Sequence, residues 1–176
     1  MRPGGGRTKG HAFEKKIARE LGLWWCNDRD AFWRVLGSGG AAHASPGKDW
    51  QPGDIVPVKR MDRELRVCIE CKKTESWFFE EVFKVGKKSE LMKHWKQCLD
   101  ERAGRDPWLI ITRNRLPVFL ILLSSIWKGP LRVHGVSTSF SMRCKGVPTA
   151  IVVSWDLFRQ KFRPEEVHAV LSTVRK

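Results

Sequence analysis

No stretch of this 176-residue chain comes near the roughly 20 consecutive apolar residues that a membrane-spanning helix requires. The longest apolar run, Val118 to Leu123, has the length of a strand, and the opening Met1-Arg-Pro-Gly-Gly-Gly lacks the apolar segment of a secretory signal. Cysteine is too sparse and too irregular for a disulfide framework: there are five, an odd number. Reduced thiols and a cytoplasmic location are expected, in the host cytoplasm if the gene is viral. Tyrosine is absent while tryptophan occurs nine times, an imbalance that by itself says nothing about function. Acidic residues are also scarce. Asp plus Glu number 19 against 33 Lys plus Arg, a net charge of +14. Such a surplus attracts a polyanion, because each neutralised phosphate releases condensed counterions. The basic residues are scattered rather than ranged along one amphipathic helix, which argues against a membrane partner. A ribosomal or histone-like binder would carry the same excess, so charge speaks for binding and is silent on catalysis.

A hydrophobic content of 41% and this length allow one domain with a real core. Residues 1–9 are Gly-rich and basic and read as a flexible arm. From His11 to Cys26 the pattern is helical, with Phe13, Ile17 and Leu21 at every fourth position. Ala31 to Leu36 reads as a short strand, and a Gly-rich loop then continues to Gly53. Strands are expected at Asp54–Val58 and Glu64–Lys73, joined as a hairpin through Arg60-Met-Asp-Arg63. A second helix runs from Ser89 to Ala103, with Leu91, Trp95, Cys98 and Leu99 on one face and Gly104 as its stop. Trp108–Thr112 and Val118–Leu123 read as buried strands, and Ala150–Ser154 as another. Pro164 opens a last helix with an apolar stripe of Val167, Val170, Leu171 and Val174. Neither repeats nor a second-domain linker are visible. The order of elements implies the α/β class, with a mixed central β-sheet flanked by helices.

The segment that carries chemistry is Arg66-Val-Cys-Ile-Glu-Cys-Lys72. Strand alternation sends Val67, Ile69 and Cys71 to one face and Arg66, Cys68, Glu70 and Lys72 to the other. A carboxylate and an ammonium then stand side by side on what should be a central strand. A carboxylate there needs partners, since burying an unpaired charge is costly. Asp54 is the obvious second carboxylate, for a hairpin would bring it beside Glu70. Two oxygen donors with room for water suit Mg²⁺ or Mn²⁺, and Lys72 would orient the attacking water or stabilise developing charge. A Glu-x-Lys on a strand is common, and often no more than a solvated ion pair. The accompanying Asp, the Gly-Asp turn, the preceding helix and the positive surplus weigh against that plain reading.

In order along the chain, these residues resemble the PD-(D/E)XK nuclease superfamily, and within it the archaeal-type Holliday junction resolvases. Lys9-Gly-His-Ala-Phe-Glu14 is similar to the family's opening helix, and Arg34-Val-Leu-Gly-Ser38 to its Arg-x-x-Gly-Ser strand end. Asp-Ile-Val56 and Cys-Ile-Glu-Cys-Lys72 are similar to its metal-binding strands. The likeness covers residues 8–123. It implies a restriction-endonuclease-like αβββαβ core over residues 10–123, with 124–176 a C-terminal extension of the same single domain. The implied activity is cleavage of branched DNA, four-way junctions, by a symmetric homodimer that needs Mg²⁺, with Mn²⁺ substituting, and no small-molecule cofactor or membrane.

The same resemblance makes Glu14, Asp54, Glu70 and Lys72 catalytic and gives the metal to Glu14, Asp54, Glu70 and Cys71, the last through its backbone carbonyl. Lys9, Lys15, Arg34, Ser38, Lys73 and Arg113 would contact DNA. Two departures stand out: Gly39 to Gly53 lengthen a gap that is short in the family, and Gly53 takes the place of the Pro in the superfamily's name. Without the likeness, Glu14 reads better as a solvated helix carboxylate. Cys68 and Cys71 form a CxxC whose side chains alternate to opposite faces, so zinc is not expected there. His43 reads as a solvent-exposed loop residue, and Trp77, Phe78 and Phe79 as core or as a dimer patch. Other readings are a repair- or restriction-type nuclease of the same superfamily, or a non-catalytic nucleic-acid-binding protein.

Overall fold

The computed structural model of the chain describes residues 5–35, 52–58, 61–75, 80 and 89–173. In chain order these form α1 (Gly5–Cys26), β1 (Phe32–Arg34), β2 (Ile55–Pro57), β3 (Val67–Lys73), α2 (Glu90–Glu101), β4 (Asp106–Thr112), β5 (Phe119–Leu123), α3 (Ser124–Val133), β6 (Phe140–Cys144), β7 (Val147–Ser154), α4 (Trp155–Lys161) and α5 (Pro164–Thr173). The strands build a five-stranded mixed sheet, ordered β3-β4-β5-β7-β6, and a two-stranded ribbon of β1 and β2. Within the larger sheet β3 and β4 run parallel and the other pairings are antiparallel. This is the expected mixed sheet flanked by helices, a restriction-endonuclease-like arrangement.

Period-two alternation along the central strands divides the core in two. Trp108, Ile110, Leu120, Leu122, Ile151 and Val153 face one layer, where Phe13, Ile17 and Leu21 of α1 pack beside side chains of α3, α4 and α5. Leu109, Ile111, Ile121 and Val152 face the other, under Leu91, Met92, Trp95 and Cys98 of α2. The start of α2 is capped by Ser89, whose Oγ accepts the Met92 N–H at 3.3 Å. Beyond its end, Ala103 and Gly104 both take positive φ and turn the chain into β4.

Tryptophans fasten the C-terminal third to this core. Trp24, Trp108, Trp127 and Trp155 meet Phe158 and Phe162 in largely edge-to-face contacts. Their polar ends are satisfied as well. The Trp108 and Trp127 indoles donate to Asp106 Oδ2 at 2.9 and 2.7 Å, and the Trp155 indole to Glu20 at 2.8 Å. Burial pushes the Asp106 carboxyl up to about 6, against the pull of the two indoles. The segment expected as an extension thus supplies two strands of the main sheet.

Three expectations are corrected. Residues 5–9 are not a free arm but the first turns of α1. β2 and β3 do not form a hairpin: β2 pairs antiparallel with β1, and the link to β3 is a parallel bridge between Gly53 and Ile69. Nor is β3 central. It is an edge strand of the five-stranded sheet, and the Gly53–Asp54 segment runs along its outer side. Ser38, His43, most of the Gly-rich loop, Trp77, Phe78, Phe79 and Val174 lie outside the described residues. Among the described residues, no helix is long and apolar enough to cross a membrane.

Candidate active site

β3 fixes the first part of the site. Val67, Ile69 and Cys71 enter the core layer shared with α1, as alternation requires. The opposite face is not solvated either, because α2 lies over it: Cys68 Sγ is 3.9 Å from the Glu101 carbonyl, and Gln97 donates to Glu70 at 3.3 Å. Glu70 is consequently only 3% exposed. Its Oε1 carries the Lys72 ammonium at 2.5 Å.

Asp54 joins from outside the sheet. Its N–H donates to the Ile69 carbonyl at 2.7 Å, and its Oδ2 accepts the Cys71 N–H at 2.8 Å. Backbone and side chain therefore both cap the otherwise open edge of β3, which brings the carboxylate beside Glu70 without a hairpin. This close approach depends on Gly53. Its φ is +101°, and a Cβ there would lie 2.6 Å from the Ile69 carbonyl oxygen and 2.8 Å from its nitrogen. Proline, locked near φ −65°, has no access to this conformation. The departure from the superfamily's name thus has a physical cause in the backbone.

Glu14 reaches the same region from α1. Arg34, at the end of β1, pairs with it at 3.4 Å, and both side chains are largely buried. The β1 end is tied to the site through Val35 N–H, which donates to the Asp54 carbonyl at 2.8 Å. Burial, and then the charge of Asp54, hold the Glu14 carboxyl above its ordinary range, with Arg34 among the groups that pull it back. Glu70 responds more strongly. Burial and the Asp54 charge push it up to about 7, although Lys72 opposes them. Burial draws the Lys72 ammonium down, but Glu70 and Asp54 outweigh it and the net direction is upward. The pair favours the ammonium form of Lys72.

Asp54 is the electrostatic centre, since its charge acts on Glu14, Glu70, Lys72, Cys68 and Cys71. The thiols are unsuited to a soft metal: burial pushes Cys68 up to about 12 and Cys71 well above its ordinary value. Among the described residues no three His, Cys, Asp or Glu side chains close into a metal cage. The hard oxygen donors at this strand are Asp54, bonded to the Cys71 N–H, and Glu70, on which the Asp54 charge acts. That set fits Mg²⁺, which commonly takes one or two carboxylates and completes its shell with waters and substrate phosphates.

Of the residues expected to touch DNA, Ser38 lies outside the described residues, and Arg34 is the one tied to the site, through Glu14. Lys15 sits over the exposed ring of Trp33 at 5.8 Å, and Lys9 projects from α1. Lys73, at the end of β3, pairs in register with Thr112, next to Arg113, which lies 3.9 Å from Glu75. A cleft of about 410 Å³ lined by Arg66, Arg102, Arg105 and Asp106 lies at the opposite end of β3 and β4, away from Lys72. One polar residue at the centre had no sequence signal: Gln97, whose place on α2 follows the polar face and no recognisable motif.

Neither the curated proteins nor the solved structures include a match to the chain. A family model described as "Phage putative PDDEXK endonuclease" matches residues 5–168. PD-(D/E)XK nucleases generally use Mg²⁺, in keeping with the oxygen donors of Asp54 and Glu70. With nearly its whole length matched, the chain belongs to this phage PDDEXK endonuclease family and is a nuclease of the PD-(D/E)XK superfamily.

Proposed function

We propose that this protein is a Mg²⁺-dependent endonuclease that resolves four-way DNA junctions as a symmetric homodimer, with Glu14, Asp54, Glu70 and Lys72 as its catalytic residues. The observation that carries the reading is the capping of β3 by Asp54, which sets two buried carboxylates and one ammonium together. Asp54 Oδ2 is taken up by the Cys71 N–H and Glu70 Oε1 by Lys72 and Gln97, so Asp54 Oδ1 and Glu70 Oε2 remain to hold the cation. The Cys71 carbonyl and Glu14 complete the proposed donor set. Bound there, Mg²⁺ would supply positive charge that polarises the scissile phosphate and acidifies a water.

The chain's own groups do the rest. Lys72, beside Glu70, stabilises negative charge building on the phosphate oxygens. Arg34, held by Glu14, stands ready to grip the neighbouring phosphate. The water oxygen bonds to phosphorus and gives up a proton to solvent, the bond from phosphorus to the 3′ oxygen breaks, and the leaving oxygen takes a proton from solvent. The ends are a 5′-phosphate and a 3′-hydroxyl. Lys9, Lys15, Ser38, Lys73 and Arg113 hold the backbone, reading shape rather than base sequence. The net charge of +14 and the likeness to junction resolvases support branched DNA as the substrate.

Labelled four-way junction and matched linear duplex, each offered with Mg²⁺ or EDTA, test the proposal. Paired nicks in opposite strands of the junction are expected with Mg²⁺ and none with EDTA. Equal cutting of both substrates would reduce the reading to a general duplex nuclease of repair or restriction type.

A pH dependence follows from Glu70. A carboxyl whose folded value lies near 7 holds its proton more tightly than in the unfolded chain, and a cation must displace that proton. Affinity for Mn²⁺ alone is expected to fall about tenfold between about pH 8 and about pH 6, with proton release visible by calorimetry. A flat affinity across that window would separate Glu70 from the cation.

A further inference from the structure

We propose that Gln97 is a positioning residue that sets the plane of the Glu70 carboxylate for cation binding, an assignment that rests on the metal-dependent reading above. Gln97 belongs to α2, and its amide nitrogen reaches across to β3 to donate to Glu70 Oε1 at 3.3 Å. The same nitrogen donates to Glu101 Oε1, one helical turn on, at 3.1 Å. Both neighbours are acceptors, so the NH₂ group must face them and the amide oxygen must face away. Glu101 thereby fixes the orientation in which Gln97 meets Glu70.

The arrangement solves a problem the site poses. A carboxylate that binds a cation through one oxygen can still rotate about its last torsion, which is broad. Lys72 alone leaves that rotation open, because an ammonium is a compact donor on a flexible stem. A second donor on the same oxygen, coming from a different element, defines the plane and leaves Oε2 for the cation. Among the described residues, Gln97 is the only uncharged side chain bonded to Glu70. Its neutrality matters. A lysine there would compete with the cation for Glu70, and a glutamate would add a third charge beside Glu70 and Glu101. Groups that orient a ligand in this way are commonly worth about 10- to 100-fold in metal affinity or activity.

Gln97→Met keeps the length of the side chain and removes the donor, and Gln97→Ala serves as a second variant. Each is titrated with Mn²⁺ alone by calorimetry, followed for junction cleavage against Mg²⁺ concentration, and melted. Mn²⁺ affinity is expected to fall about tenfold, with the half-saturating Mg²⁺ rising by the same factor. Turnover at saturating Mg²⁺ should stay within about threefold of the native protein, with little change in Tm. Native Mn²⁺ affinity in Gln97→Met would overturn the assignment. So would a lowered Tm with turnover that saturating Mg²⁺ does not restore, the mark of a merely structural residue. A native protein that neither binds Mn²⁺ nor cleaves DNA would instead remove the metal-dependent reading itself, so the two failures are distinguishable.

Discussion

Asp54→Asn is expected to lower DNA cleavage by about a thousandfold or more while leaving fold and DNA affinity in place. The substitution separates chemistry from structure. Asn still offers a carbonyl oxygen to the Cys71 N–H, so the cap on the edge of β3 survives. The charge does not survive, and Asp54 is the residue whose charge acts on Glu14, Glu70 and Lys72. Asp54→Ala removes both, and the unpaired buried Cys71 N–H should cost about 1–3 kcal/mol in addition. DNA affinity of Asp54→Asn should be unchanged or slightly tighter, because a negative group near a phosphate has gone. Single-turnover cleavage and a gel-shift titration read the two effects. Cleavage within about tenfold of the native protein would mean that Asp54 is not a cation ligand.

Gly53→Ala should be nearly as damaging by another route. The residue's φ of +101° and its contact with the Ile69 backbone leave no room for a Cβ, and the atoms it would meet belong to the main chain. A strained backbone of this kind costs up to about 3 kcal/mol even before the clash is counted. If β3 keeps its place, the Gly53–Asp54 segment must move outward. A shift of about 1 Å in a catalytic group can cost about a hundredfold in rate. The variant should therefore show a lower urea midpoint and, at temperatures where it remains folded, cleavage reduced by about a hundredfold or more. A native midpoint with native cleavage would show that the segment does not approach β3 in this way.

Much of this site was legible in the sequence, but the route to it was not. Glu70 and Lys72 share a face because a strand alternates, and that needs only local periodicity. The partnership of Asp54 with Glu70 was expected for a wrong topological reason. A hairpin and a parallel bridge both bring residue 54 beside residue 70, and the two differ only in long-range pairing, which no short pattern encodes. The cover over Glu70 was equally hidden, because α2 comes about 20 residues later, beyond a segment with no readable periodicity. Gln97 depends on that cover and was invisible with it.

In the C-terminal third, local rules misled or fell silent. α3 contains Gly129 and Pro130, a pair unfavourable inside a helix, yet Trp127 and Leu131 are buried four residues apart and hold the helix down. β6 is a polar edge strand, with Ser141 and Arg143 exposed and Met142 buried. α4 was the avoidable miss: Ser154 caps it through the Leu157 N–H, and Trp155 and Phe158 bury one face. The tryptophan count likewise carries no message in the sequence, because the roles of Trp108, Trp127 and Trp155 depend on long-range partners, Asp106 for the first two indoles and Glu20 for the third.

The most direct test of the central claim is anomalous diffraction from crystals grown with Mn²⁺. The expected result is a peak within about 2.2 Å of a carboxylate oxygen of Asp54 and another of Glu70, with the Lys72 ammonium alongside and not replaced. Crystals that hold Mn²⁺ elsewhere on the protein, with both carboxylates free of it at saturating concentration, would contradict the account.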